Sequence, residues 1–450
     1  MEQDMTRGNP LSVIFMFTLP LAIGNIFQQL YNMADTIIVG RFVGADALAA
    51  VGSTGTIMFL LNGFAQGITA GFSVLTAQRF GAGKKDAVKQ SVTNGILLSI
   101  IGAILLTVLG CAIMDPLLHL MNTPDDIFDM AYTYITLISL GMIANVFYNL
   151  FSSYLRAVGN SKAPLFFLVF SACLNVGLDL FFIVVLKMGV AGAAWATNLS
   201  QAISALLCIV YIYCKVPALV PEKKHWRLTA GDTRYQMQMG IPMALQFAIT
   251  SSGTMIMQSA INLFGSEAVA AYTAACKVHS LLTQGMVAMG QTMAVYSGQN
   301  YGKGDYGRIR AGVKAALIIE FIYSVVSAVA VSLLLGVTLG LFFSGDVDLT
   351  VMMPWARTYI TICTLFYIPL STIFIFRNTM QGCGYGFLPM MGGVVELVAR
   401  MLVAMIAMRV HSYALSCFCD PAAWISAGLF TGVSYLFVMK KIKATLSSKG

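Results

Sequence analysis

Long apolar runs alternate along the chain with short breaks rich in Gly, Pro and charged residues. Each run approaches the ~20 apolar residues that a helix needs to cross a bilayer. Twelve such spans are predicted, at residues 11–38, 47–78, 88–114, 129–155, 163–186, 190–214, 236–263, 268–297, 310–343, 354–380, 387–409 and 421–440. The longest hydrophilic stretch, Lys215 to Arg234, has the size of an inter-element linker. No separate soluble domain is expected, and any chemistry must take place among the helices.

The two halves resemble one another. LPLAIGNIFQQLYNMADTIIVGRFVGADALAAVG recurs loosely as IPMALQFAITSSGTMIMQSAINLFGSEAVAAY, which pairs Pro20 with Pro242 and Gly44 with Gly265. AQRFGAGKKD echoes GQNYGKGDYG, pairing Gln78 with Gln299, and GAAWAT echoes PAAWIS, pairing Trp195 with Trp424. Six helices have been duplicated, and because six is even both copies enter the membrane from the same side. The expected fold is an all-α integral membrane protein with twelve transmembrane helices in two pseudo-symmetric six-helix bundles, 1–215 and 236–450, joined by a linker at 216–235. The bundles are expected to be related by an axis along the membrane normal and to flank a central cavity.

Charge refines this picture. A formal +8 would fit nucleic-acid binding in a soluble protein, but this chain is 58% hydrophobic and only 10% charged. Most of its Lys and Arg fall in alternate connections: Arg79, Lys84, Lys85 and Lys89 in one, Lys215, Lys223, Lys224, Arg227 and Arg234 in another, then Lys303 to Lys314, Arg377, and Lys440 to Lys449. The connection holding Asp115, Asp125, Asp126 and Asp129 has no base. This asymmetry places both termini in the cytoplasm and makes the lipid bilayer, not nucleic acid, the partner of the basic residues. The N-terminal MEQDMTRGNP lacks the pattern of a cleaved signal peptide. Cys417 and Cys419 form C-x-C without a matching second half, so apolar packing is the expected role of the cysteines. His119, His225, His279 and His411 are isolated from any nucleophile or metal motif, and no enzyme is expected.

Polar residues recur at helical spacing inside the first half. Gln28, Tyr31, Asn32 and Asp35 follow i, i+3, i+4, i+7 and form one stripe on the first helix. Asn62, Gln66 and Thr69 do the same on the second, and Asn145, Asn149 and Ser152 on the fourth. Asn175 and Asp179 are one turn apart on the fifth, and the sixth presents Thr197, Asn198 and Gln201. A charged residue at membrane depth costs at least ~2.5 kcal/mol, so the carboxylates need an offsetting role. Asp35 and Asp179 could share a proton, or join the Asn175 and Thr197 oxygens around a hard monovalent cation. The bland alternative is hydrogen bonding within the bundle. It weighs most for the neutral Asn175 and Thr197 and for the cavity-lining candidates Gln28, Tyr31, Asn32, Asn62, Gln66, Asn145, Asn149 and Gln201.

MADTIIVG, GADALAAVG, AQRFGAGK, LRAVGNSKAP, LNVGLDLFF and GAAWATNLSQ, taken in this order over nearly the whole chain, resemble the multidrug and toxic compound extrusion (MATE) transporters, and most nearly their bacterial DinF-like branch. The ordered set carries the resemblance; no single motif does. It implies a secondary antiporter of the bacterial inner membrane, working as a monomer without a cofactor. Small amphipathic, often cationic, organic compounds would leave in exchange for protons or sodium. The same resemblance assigns Asp35, Asn175, Asp179 and Thr197 to the cation-coupling site. The alternative within the broad superfamily is a flippase or exporter of a lipid-linked or other endogenous metabolite, although the sparse intramembrane bases count against a pyrophosphate carrier.

The second half departs from the first. Met257, beside Gln258, stands opposite Asp35, and Thr250 falls where NorM-like relatives carry an acid, so coupling is expected in the N-terminal bundle. Thr250, Met257, Gln258, Lys277 and Gln284 are candidates for lining the cavity. Glu396 and Arg400, four residues apart, are expected to pair as a structural ion pair. Glu320 is expected to reach back to the cytoplasmic surface.

Overall fold

In the computed structural model, residues 4–121, 123–342 and 349–447 are described. The far end of the ninth expected span and Lys449 lie outside them. The described elements are α1 (Pro10–Phe42), α2 (Ala45–Ser53), α3 (Gly55–Gly81), α4 (Lys85–Leu120), α5 (Asp125–Leu140), α6 (Met142–Ala157), α7 (Lys162–Asp179), α8 (Val190–Lys215), α9 (Ala230–Ile261), α10 (Ser266–Lys303), α11 (Tyr306–Phe342), α12 (Leu349–Thr364), α13 (Tyr367–Gly382), α14 (Phe387–Val410), α15 (Tyr413–Cys417) and α16 (Cys419–Ser447). A π-helical segment, Leu180–Val185, continues α7.

Eight helices are long and apolar enough to cross a bilayer, and two bent pairs, α5 with α6 and α12 with α13, raise this to ten. The two long helices left over, α9 and α10, complete the twelve rods expected from the pattern. These helices are apolar on their outer faces as well. The most apolar stretch of α4 buries only 17% of its residues, and Leu105, Val108 and Leu109 are more than half exposed. Such faces are stable only against lipid.

The described residues form two compact units, one holding 23–247 and the other 5–22 and 248–447. Between α8 and α9 the chain makes short turns tied down by Lys89–Glu222 (2.7 Å) and Lys224–Asp86 (3.2 Å).

The internal duplication is visible in local geometry. Pro20 lies inside α1 and Pro242 inside α9. The matched Gly44 and Gly265 precede α2 and α10 with φ of 129° and 88°, a region where a side chain would be strained. The bends also match, at 47° between α5 and α6 and 48° between α12 and α13.

Within the first unit, Gly63, Gly67 and Gly71 line one edge of α3 against α9. A Cβ on Gly67 would stand 2.7 Å from Ala244 Cα, and one on Gly71 would overlap the Gly240 backbone. This is small-residue packing, which holds helices together where lipid removes the hydrophobic drive. Gly67→Leu should therefore cost at least ~1–3 kcal/mol, because backbone atoms cannot yield. Gly63→Ala, whose new Cβ meets only the Phe247 side chain at 3.0 Å, should cost less. Thermal unfolding of the two variants in detergent micelles should rank them in that order, and equal melting points would refute the seam.

Candidate functional site

The first unit gathers most of the polar stripes around one small cavity of about 60 Å³. Tyr31, Asn32 and Asp35 from α1, Asn62 from α3, Tyr134 from α5, Asn145 from α6, and Thr197, Asn198 and Gln201 from α8 contribute to its lining. Helical spacing explains the convergence. On α1, Tyr31, Asn32 and Asp35 are separated by three or four residues and share a face, as do Thr197 and Gln201 on α8.

Asp35 is the carboxyl of this lining, and Asp179 is not part of it. Asp35 is half-buried and Asp179 wholly buried, and the two carboxyls are close enough to interact. Two carboxylates are acceptors only, so a direct hydrogen bond between them would require a shared proton. The Oδ1 atoms of both residues are buried without a hydrogen-bond partner among the described residues, so each has acceptor capacity to spare. Asp179 ends the α-helical part of α7, where the backbone widens into the π-helical segment Leu180–Val185. Such widenings re-aim side chains and recur at functional sites.

Asn175 lies one turn before Asp179 and is 1% exposed. With its nitrogen towards Asp179, its amide donates to Asp179 Oδ2 at 3.3 Å and accepts from the Thr197 N–H at 3.3 Å. Turned over, it reaches Thr197 Oγ1 at 3.4 Å. The structure thus brings Asp35, Asn175, Asp179 and Thr197 together from three helices. Beside them Asn145 donates to Asn62 Oδ1 at 2.9 Å, and Asn149 donates to Asn145 Oδ1 at 3.2 Å. Gln28, one turn before Tyr31 on α1, is exposed. Gln66 is half-buried on the face of α3 that carries Asn62, but does not line the cavity.

Two contributors escape a periodicity reading. Tyr134 is 3% exposed and close enough to Asp35, Asp179 and Tyr31 to feel their charge; it sits in an apolar run where an aromatic residue gives no signal. Gly141 stands at the α5–α6 bend, where a Cβ would overlap the Asn198 side chain. The missing side chain lets Asn198 Nδ2 donate to Leu137 O at 2.7 Å, a carbonyl next to the bend.

In the second unit the candidates do not converge. Met257 is 1% exposed within the apolar core, so it packs and does not line a cavity, a correction whose cause is close contact among the small residues and aromatics of α9 and α10. Gln258 hydrogen-bonds to Asn262 (2.8 Å), Gln284 bonds back to Ser280 O (3.2 Å), Thr250 is half-buried and Lys277 is exposed.

The expected pair of Glu396 and Arg400 is part of something larger. Glu396 is 3.2 Å from Arg377 and 3.8 Å from Arg400, and Arg400 meets Asp420 at 2.7 Å. Arg377, expected in a cytoplasmic connection, instead lies buried within α13, because Glu396 neutralises it there. Glu320, expected to reach the surface, is buried.

The MatE family pattern matches residues 20–181 and 242–406. "Probable multidrug resistance protein YpnP" of Bacillus subtilis is 31% identical over 311 residues, 68% of each chain. A protein of Shewanella oneidensis named "FAD transporter" is 22% identical and covers 89% of this chain and 88% of its own. The solved structure described as "Crystal structure of MATE in complex with MaL6" superposes with a TM-score of 0.91 at 21% identity, over 98% of this chain and 99% of that one. The chain, a multi-pass membrane transporter and not an enzyme, belongs to the multidrug and toxic compound extrusion family.

Proposed function

We propose that the chain is a secondary antiporter that exports amphipathic, often cationic, organic compounds in exchange for protons or sodium by alternating access. It would work from the bacterial inner membrane as a monomer without a cofactor, with both termini cytoplasmic. One observation carries this reading: two acids, Asp35 and Asp179, lie close enough to interact and are gathered among helices with Asn175, Thr197 and Tyr134. Two acids in contact change their net charge when one proton enters or leaves, and that change alters what the surrounding helices can pack against.

Cavity size separates ion from cargo. About 60 Å³ holds an ion or a few waters, whereas sites for drug-sized molecules occupy ~300–1,000 Å³. A cavity of this size suits the coupling ion rather than the exported compound. Coupling follows when the protonated and deprotonated forms favour conformations with different affinity for that compound. A proton suits the carboxyl–carboxyl contact directly. Sodium would have to enter between the acids, using their spare Oδ1 atoms with Thr197 Oγ1.

The relative named for FAD transport supports a second reading, export of an endogenous metabolite coupled to the same carboxyls. Purified protein in sealed vesicles discriminates between the coupling ions. Efflux of a fluorescent lipophilic cation should follow an imposed pH gradient or a sodium gradient. Failure under both would refute cation-coupled efflux of such compounds and leave the metabolite reading.

A further inference from the structure

We propose that Glu320 is a second proton-binding site, held in the unit formed by residues 5–22 and 248–447 and separate from the Asp35–Asp179 pair. It stands about 21 Å along α11 from Tyr306, at ~1.5 Å per residue, which is membrane depth for a helix that crosses. Glu320 is 3% exposed, and Ser324 one turn further is 1% exposed. Glu320 Oε2 and Ser324 Oγ both lack a hydrogen-bond partner among the described residues.

Among the described residues no ion pair reaches this carboxyl. On the elements packed against α11, Arg377 of α13 is engaged by Glu396, Asp420 of α16 by Arg400, and His279 of α10 by Tyr367. Lys277 of α10 and Arg357 of α12 are exposed. None of these forms an ion pair with Glu320, and Tyr323 stands three residues along on the same helix. Burying an ionised carboxylate with no cation beside it and Oε2 unpartnered is costly, so this packing favours the protonated side chain.

The duplication shows that the fold does not require an acid here. In the register that pairs Gln78 with Gln299, Glu320 matches Ser99 of α4, while Val88 matches Ile309, Val92 matches Val313 and Ala103 matches Ser324. All these positions are buried in both copies, and Ser99 Oγ is likewise unpartnered. One copy meets the shared environment with a small hydroxyl and the other with a group that can bind and release a proton.

Infrared spectroscopy of the full chain in lipid nanodiscs tests the assignment. The Asp35→Asn, Asp179→Asn double variant removes the first pair, and Glu396 and Asp420 are each paired with an arginine. A protonated-carboxyl stretching band should therefore persist at pH 7 in the double variant, disappear reversibly as pH is raised, and be lost on adding Glu320→Gln. Glu320→Asp should keep the band at a shifted frequency, which guards against loss through misfolding. A band absent from the double variant, one that survives Glu320→Gln, or one that ignores pH until the protein unfolds would overturn the proposal. No transport step enters the readout, so it stands or falls apart from the antiport reading.

Discussion

Asp35→Asn abolishes gradient-driven efflux, by at least 100-fold on the proposed mechanism, while the protein stays folded. Asparagine has nearly the shape of aspartic acid and can hydrogen-bond to Asp179, so the packing around the cavity survives. What it cannot do is gain or lose a proton. The remaining Asp179 then faces a neutral amide, and the shared-proton state that links charge to helix packing no longer exists. Asp179→Asn should have the same effect by the same reasoning. Thr197→Ala, which removes one neutral oxygen, should lower the rate by only several-fold. Vesicle efflux under an imposed gradient, with equilibrium binding of the lipophilic cation measured alongside, checks all three. Binding should survive in the Asp35→Asn protein. Normal efflux by that protein would sink the coupling role.

Glu396→Leu should come close to unfolding the second unit. The substitution leaves Arg377, 6% exposed, without its 3.2 Å partner, and strips Arg400 of one of two acids. Breaking a buried pair on one side costs ~3–5 kcal/mol, against a total stability of ~5–15 kcal/mol for a typical folded domain. The expected result is a melting point lowered by many degrees and a poor yield of folded protein. Arg377→Met combined with Glu396→Leu should recover most of that loss, because a neutral apolar pair replaces the ionic one and Arg400 keeps Asp420. If the double variant were as unstable as the single one, Glu396 would owe its importance to something other than Arg377.

Much of this architecture is legible in the amino-acid sequence because bilayers impose a coarse rule that hydropathy records. The twelve rods, the duplication and the stripe ending at Asp35 all follow from spacing. Asp35 and Asp179 stand out in the sequence as acids in otherwise apolar helices, but their proximity does not follow from spacing alone. What spacing does not carry is local backbone departure. The bends near Gly141 and Phe366, and the π-helical turn after Asp179, fall inside uninterrupted apolar runs. Tertiary neutralisation is equally silent: Arg377 reads as a loop cation until Glu396, on another helix, is seen beside it. Met257 and Glu320 fail for the opposite reason. Burial of a single side chain depends on how two helices are rotated against each other, and a one-dimensional pattern leaves that rotation open.

The matched bends bear on how the chain is made. α5, α6, α12 and α13 each contain 16 residues, about 24 Å of helix, which is shorter than the ~30 Å of a bilayer's hydrocarbon. None of the four can be handed to lipid alone as it leaves the ribosome. Each pair must therefore be admitted to the membrane as one unit, or wait in the translocation channel until its second half has been synthesised.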